Sequence, residues 1–462
     1  MFIRQRGRSG TERPEDAKHT PWQLVAYGSQ HILTMYGGVI APPIIVGGAA
    51  GLPTTDIGLL VTASLFVSGL ATILQTIGIG PFGSRLPFVQ GISFAGVSTM
   101  VSIASTGGLR PVFGAIIVAG LIGLVLSSFF AQLVRLFPAV VTGSIITVIG
   151  LSLMPVAFGW AMGNNPGTPG YGSMANIGFA GLTLLIILVI SRLFQGALSR
   201  LSILIGLVAG TVIAALSGKA DFSSVGKARI IAPPPILHWG SPTFQVGAIV
   251  AMTVVILVTL IEGTADMLTL GEIVGTDVDT RRVADGLRAD MLSTAVAPVL
   301  GSFTCSAFAQ NIGLVALTGI KSRFVVATGG AILVLLGLLP IVGAVVAGIP
   351  YPVLGGAGLV LFGTVTASGI RVLAKVDYHD NLNMVIVAVG IGVGLIPVAA
   401  PKFWDAFPTT IGVVLNSGIS ATALVAVVLN LAFNEWKFGR RPGPSVFAAA
   451  ADERDQVGDA QH

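Results

Sequence analysis

The chain has 462 residues, of which 53% are hydrophobic and only 10% charged, with a net charge of +5 and a mean hydropathy of +0.89. Soluble domains carry about one quarter charged residues, so this composition excludes an ordinary globular enzyme and describes a chain built for lipid. The single cysteine, Cys305, excludes an intramolecular disulfide and reads as a small packing residue.

Apolar runs long enough to cross a hydrocarbon core of about 30 Å recur from Trp22 to Phe433. In chain order they cover 22–47, 57–79, 87–104, 112–135, 138–161, 174–194 and 200–218, then 245–271, 283–301, 305–320, 323–348, 352–373, 380–399 and 408–433. That is about fourteen spans. The third and the tenth are the shortest and most polar, and each is third in a group of seven. Two repeats of seven follow, and because seven is odd the second is inverted relative to the first.

The expected organisation is an N-terminal tail over 1–20, a first repeat over 21–218, a linker over 219–244, a second repeat over 245–433 and a C-terminal tail over 434–462 that reads as disordered. No short apolar region with a small-residue cleavage site follows the basic N-terminus, so no secretory signal peptide is expected. Alternate connections collect the positive charge. Arg85, Arg135, Arg192, Arg200, Arg281, Arg282, Arg288, Lys321, Arg323, Arg371 and Lys375 fall on the side of both tails, whereas Arg110, Lys219, Lys227, Arg229 and Lys402 fall opposite. Both termini are therefore expected to be cytoplasmic, and the basic balance reflects topology and gives no support for nucleic-acid binding.

Ionisable residues inside the spans cost on the order of 3 kcal/mol each at the centre of an isolated helix, so each is a candidate for function. The first span carries Gln30-His31, with a packed histidine as the alternative reading. The eighth carries Glu262 and Asp266, four residues apart and so on one helix face, where two carboxylates repel and one tends to hold a proton. The ninth carries Asp290, for which stabilisation by a helix N-terminus is the structural alternative. The tenth contains Gln310-Asn311-Ile312-Gly313, an amide pair opening a Gly-punctuated segment; the third offers Gln90-Gly91-Ile92-Ser93-Phe94 with the same interrupted character. Free N–H groups and the Gln310 amide suit a flat polar heterocycle, with Glu262 accepting from ligand N–H groups and Phe94 able to stack on a ring. No cluster of metal ligands is present in the spans, and no metal or other cofactor is expected apart from a coupling proton.

The ten residues from Gln310 to Gly319 resemble the signature of the nucleobase-ascorbate transporter family, and Gln30-His31, Glu262-Gly-Thr-Ala-Asp266 and Gly286-Leu-Arg-Ala-Asp290 extend the resemblance over about 20–435. The resemblance implies an all-α polytopic fold whose third and tenth segments carry short extended stretches. It also implies a core domain of spans 1 to 4 and 8 to 11, a gate domain of spans 5 to 7 and 12 to 14, a homodimer, and an elevator-like movement. The substrate site it implies comprises Glu262, Gln310 and Asn311, with Ser93 and the backbone at Ala309 and Phe94 closing it. Asp290 is tied to proton coupling, and Asp266 and His31 to coupling, affinity or site architecture.

Gln310 and Asp266 resemble the xanthine and uric acid branch, whereas uracil permeases resemble Glu-Asn and His at these places. Ala316 departs from several xanthine carriers, which leaves xanthine against uric acid open. The expectation is a proton-coupled purine symporter of the cytoplasmic membrane. A uracil permease and an anion carrier of the sulfate-permease type are the alternatives; the latter usually has a large domain after its last span. Absence of His-Glu-x-x-His, Gly-x-Gly-Asp or a Cys-His pair in the spans disfavours an intramembrane enzyme.

Overall fold

The computed structural model describes residues 13–130, 137–379 and 381–435. Helix α1 (Pro21–Ala49) starts at a capping box, in which Thr20 and Gln23 exchange side-chain and backbone hydrogen bonds and Pro21 occupies the first turn. It is followed by α2 (Thr54–Ile77), strand β1 (Gln90–Ile92), α3 (Val97–Gly107), α4 (Leu109–Leu126), α5 (Ala139–Met162), α6 (Met174–Leu193) and α7 (Ser202–Leu216). The second half runs α8 (Val246–Val274), α9 (Thr280–Val296), β2 (Cys305–Ala307), α10 (Ala309–Thr318), α11 (Arg323–Gly337), α12 (Pro340–Ala347), α13 (Tyr351–Leu373), α14 (Asn381–Ala399), α15 (Thr409–Asn416) and α16 (Gly418–Asn430).

Among the described residues, nine helices are long and apolar enough to cross a membrane, and α11 with α12 makes a tenth span bent by 80°. The other expected spans are α7, the more polar α9, and the two strand-plus-half-helix units β1–α3 and β2–α10. All fourteen expected segments thus have a counterpart. The fold is mostly helical, and its two interrupted segments lie at equivalent places in the two halves.

Those segments meet at the centre. β1 and β2 pair antiparallel, Gln90 opposite Ala307, Gly91 opposite Ser306 and Ile92 opposite Cys305. The antiparallel pairing is what an inverted repeat produces when the same strand from each half is brought to one place. Non-helical backbone at membrane depth has no water to satisfy it, so each strand must find every partner within the protein. Two threonines complete that requirement. Thr72 of α2 accepts from the Gln90 N–H at 3.0 Å and donates to the Gln90 carbonyl at 3.3 Å; Thr294 of α9 does the same for Cys305 at 3.0 and 3.3 Å. Gly91 is required here, because a Cβ at this position would enter the ring of Phe308.

Around this centre α2 packs along α11 and α12, α1 lies against both α2 and α11, and α8 and α9 lie against α4. Elsewhere α5 packs along α13, α6 lies against α13 and α7, and α14 against α16 and α5. Glycine lets the α2 and α11 backbones approach: a Cβ on Gly69 would stand 2.5 Å from the Gly330 carbonyl oxygen, and one on Gly330 would stand 2.9 Å from that of Gly69.

Polar contacts mark the two ends of the bundle. On one, Glu15 and Asp16 pair with Arg282 and Arg323 at 2.6 Å each, so the segment before α1 is tied to the first turns of α9 and α11. On the other, Arg110 donates to the Ser241 carbonyl at 2.8 Å and the linker between the repeats lies over the ends of α4 and α9. The expected C-terminal tail falls almost wholly on residues 436–462, outside the described residues.

Candidate functional site

Both half-helices begin at the strand pair with open N-termini. The cap position of α10 is Phe308, which has no side chain able to accept from the first turn, and α3 is entered through the single 3-10 turn Phe94–Gly96 without a side-chain cap. An uncapped N-terminus leaves N–H groups and the positive end of the helix dipole available to a ligand. Ala309 and Gln310 are the first two residues of α10, exposed and half-buried respectively. Phe94 is half-buried, with its ring 6.4 Å from Phe308 and 6.1 Å from Phe362 of α13. An aromatic surface therefore borders the α10 N-terminus.

Helix α8, which carries Glu262 and Asp266 on one face, packs against α10, α3 and β2. Both carboxylates are half-buried and interact with each other electrostatically. Among the described residues, neither Glu262, Asp266 nor the Gln310 amide has a hydrogen-bond or ion-pair partner. Ser93 is 1% exposed and its hydroxyl is likewise without a partner among the described residues. A carboxylate drawn partly out of water without donors is costly, so such a site favours a ligand that brings N–H groups.

His31 and Asn311 do a different job. The Asn311 amide nitrogen donates to the His31 carbonyl at 2.9 Å and lies 3.1 Å from His31 Nδ1, both residues being 2% exposed. The backbone carbonyl only accepts, so it fixes the amide orientation; His31 Nδ1 must then accept as well, which places the ring proton on Nε2. The pair ties α1 to the first turn of α10. Asn311 is held by the protein through its nitrogen, while its oxygen is buried and has no partner among the described residues.

Asp290 lies apart from any helix N-terminus, contrary to the structural alternative drawn from the sequence. Helix α9 starts at Thr280, capped by Asp279, so Asp290 is about three turns inside it. Its partner is the Gln75 amide, 3.1 Å away on α2. Sequence reasoning passed over Gln75, Thr72 and Thr294; a glutamine within the second apolar span was the signal available for the first. Asp285, a boundary residue by sequence, pairs with Arg288 at 2.5 Å. Among the described residues no group of three or more His, Cys, Asp or Glu is placed to hold a metal ion.

A polytopic bundle with two interrupted spans meeting beside an unpartnered carboxylate defines a membrane transporter. Residues 22–403 match the xanthine/uric acid permease model, described as Permease family, and the chain belongs to this nucleobase-ascorbate transporter family. It is 39% identical over 436 residues to the uric acid transporter UacT of Escherichia coli, covering 93% of this chain and 90% of that protein. It is 38% identical over 412 residues to the xanthine permease of Bacillus subtilis, covering 89% and 94%. Among solved structures, the transmembrane domain of the cyanobacterial bicarbonate transporter BicA aligns with a TM-score of 0.55 at 16% identity, covering 90% of this chain and 99% of that one. The murine anion transporter Slc26a9 aligns with 0.61 at 15%, covering 91% and 70%. These two likenesses concern the fold. Family and relatives alike are permeases, not enzymes.

Proposed function

We propose that this protein is a proton-coupled symporter that imports xanthine or uric acid across the cytoplasmic membrane. The observation that carries the reading is the unpartnered set Glu262, Asp266 and Gln310 beside the open N-terminus of α10. An oxidised purine supplies what this set lacks. Its ring N–H groups donate to Glu262, its carbonyl oxygens and any anionic charge meet the α10 N-terminus and the backbone at Ala309, and its edge pairs with the donor and acceptor of Gln310. Phe94 closes one face of the ring, and the Ser93 hydroxyl and Asn311 oxygen complete the polar wall. The relatives named as uric acid and xanthine permeases support this substrate class.

Proton coupling rests on Asp266 and Asp290, carboxylates on α8 and α9 close enough to interact electrostatically. A proton taken up outside relieves their repulsion, the purine docks, and loss of the proton inside weakens binding and frees both. The packing pattern supports an elevator-like movement, since α1, α2, α4, α8, α9, α11 and α12 pack among themselves, as do α5, α6, α7, α13, α14 and α16. These groups correspond to the core of spans 1 to 4 and 8 to 11 and the gate of spans 5 to 7 and 12 to 14. A homodimer and cytoplasmic placement of both tails belong to the same reading.

The test is uptake of radiolabelled xanthine in cells stripped of their own carriers, with unlabelled uric acid, hypoxanthine and uracil as competitors and a protonophore as control. Saturable uptake that rises as the external pH falls, is blocked by uric acid and protonophore and is indifferent to uracil is the expected result. Competition by uracil alone, or uptake indifferent to the protonophore, overturns substrate or coupling respectively.

A further inference from the structure

We propose that Gln75 is the positioning residue that dictates which oxygen of Asp290 takes the coupling proton. The inference rests on the reading above that Asp290 carries that proton. Gln75 is fully buried on α2, and its neighbours assign the orientation of its amide and the use of its nitrogen. Its amide oxygen accepts from the Ser84 N–H at 3.1 Å, and an N–H can only donate, so the amide cannot be turned round. Its nitrogen must face α9, where it donates to the Gly286 carbonyl at 3.3 Å and to Asp290 Oδ1 at 3.1 Å.

This arrangement makes the two oxygens of Asp290 unequal. Oδ1 is occupied as an acceptor whatever the charge of the carboxyl group. Oδ2 is buried without a partner, and it faces Gly263 of α8, where a Cβ would stand 3.3 Å from it. The proton therefore arrives at and leaves from Oδ2, on the side of the helix that carries Glu262 and Asp266. A glycine between those two carboxylates lets α8 pack close against Oδ2.

The surroundings leave few competing charges. On α8 the carboxylates flanking Gly263 are Glu262 and Asp266, and on β2 the titratable group is the buried Cys305 thiol. On its own helix, Asp285 and Arg288 satisfy each other. Arg282 is engaged with Glu15 and with the Ser84 and Arg85 carbonyls, and so holds the loop whose N–H orients Gln75. The hydrogen-bonded chain Arg282, Ser84, Gln75, Asp290 runs from the end of the bundle that bears Glu15 to the buried carboxyl group.

The experiment uses the full-length protein in proteoliposomes with radiolabelled xanthine, comparing Gln75→Met and Asp290→Asn with the unaltered chain. Two modes are read: accumulation driven by an imposed proton gradient, and one-for-one exchange with xanthine on both sides and no gradient. For Gln75→Met the expected result is at least a tenfold loss of gradient-driven accumulation and a displaced pH profile, with exchange within about threefold of the unaltered protein. A loss of equal size in both modes with an unchanged pH profile means Gln75 only holds the fold, and overturns the assignment. If Gln75→Met does not insert, Gln75→Leu takes its place, since it also fills the buried position and lacks any hydrogen-bond donor, with the same split expected. Should Asp290→Asn accumulate xanthine as the unaltered protein does, Asp290 is not the carrier and both readings fall. If Asp290→Asn loses accumulation while the Gln75 variant behaves normally, the Gln75 assignment alone falls.

Discussion

The side-chain amide of Asn311 donates to the backbone carbonyl of His31 at 2.9 Å and sits 3.1 Å from its Nδ1, which joins the first span to the first turn of the broken tenth. Two buried residues 280 positions apart therefore set where α10 begins relative to α1. Asn311→Ala leaves the buried His31 ring nitrogen without a donor and removes a second bond to the His31 carbonyl, which keeps its helical one, at a cost of about 1–3 kcal/mol. Thermal unfolding in detergent should fall by several degrees, and xanthine uptake should drop with it. An unchanged melting temperature would show that the link carries no stability.

Glu262 and Gln310 are expected to behave differently from that structural pair, because nothing among the described residues depends on them. Glu262→Gln and Gln310→Ala should insert and melt as the unaltered protein does, yet lose uptake. Removing a charge-assisted bond costs about 1.5–3 kcal/mol, or roughly 10- to 150-fold in affinity, before any effect on coupling is counted. Quantified membrane amount alongside uptake separates the two effects; wild-type transport by either variant sinks the site.

Gln310→Glu tests substrate class more narrowly. A glutamine side chain offers one donor and one acceptor to a purine edge, whereas a carboxylate offers acceptors only. The variant should retain less than a tenth of xanthine uptake, and uric acid, the more anionic competitor, should lose more inhibition than hypoxanthine. Equal retention of both purines would place Gln310 away from the ligand.

The threonines that close the strand backbone provide a test of the inverted architecture. Thr72→Val and Thr294→Val keep the shape and remove the hydroxyl that serves Gln90 and Cys305 respectively. Each substitution leaves buried strand groups unpaired and should cost about 1–3 kcal/mol. The double variant should lose more than the sum of the single effects, since both act on one two-stranded ladder. Strict additivity of melting shifts would argue that the strands are supported independently.

Arg282→Ala addresses the end of the bundle that bears Glu15. Arg282 pairs with Glu15 at 2.6 Å where the carboxylate is 1% exposed, and breaking a buried pair by removing one partner costs about 3–5 kcal/mol. A fall in folded yield larger than that of Asp16→Ala, whose carboxylate is 35% exposed, is the expected outcome. Chemical unfolding monitored by tryptophan fluorescence ranks the two; the reverse order would mean that the segment before α1 contributes nothing through Glu15.

Much of this protein was legible before folding because lipid imposes simple rules on sequence. Apolar length fixed the number of spans, the third and tenth stood out as short and polar, and intramembrane Glu262, Asp266 and Asp290 were candidates wherever they fell. The tenth-span signature further pointed to the family. Asp290 lies deeper in its helix than an apolar run beginning at 283 places it, because α9 starts at Thr280, capped by Asp279, with polar residues that such a reading assigns to a loop.

What the tertiary structure alone decided is which polar groups are spoken for. The Asn311 nitrogen is taken up by His31, Asp290 is met by Gln75 from 215 residues away, and Thr72 and Thr294 close a ladder formed by strands from opposite halves. Glu262 and Gln310 have no such partner among the described residues. Sequence spacing states which residues share a helix face, but a hydrogen bond between distant segments depends on distance and orientation, and those exist only once the two repeats have packed.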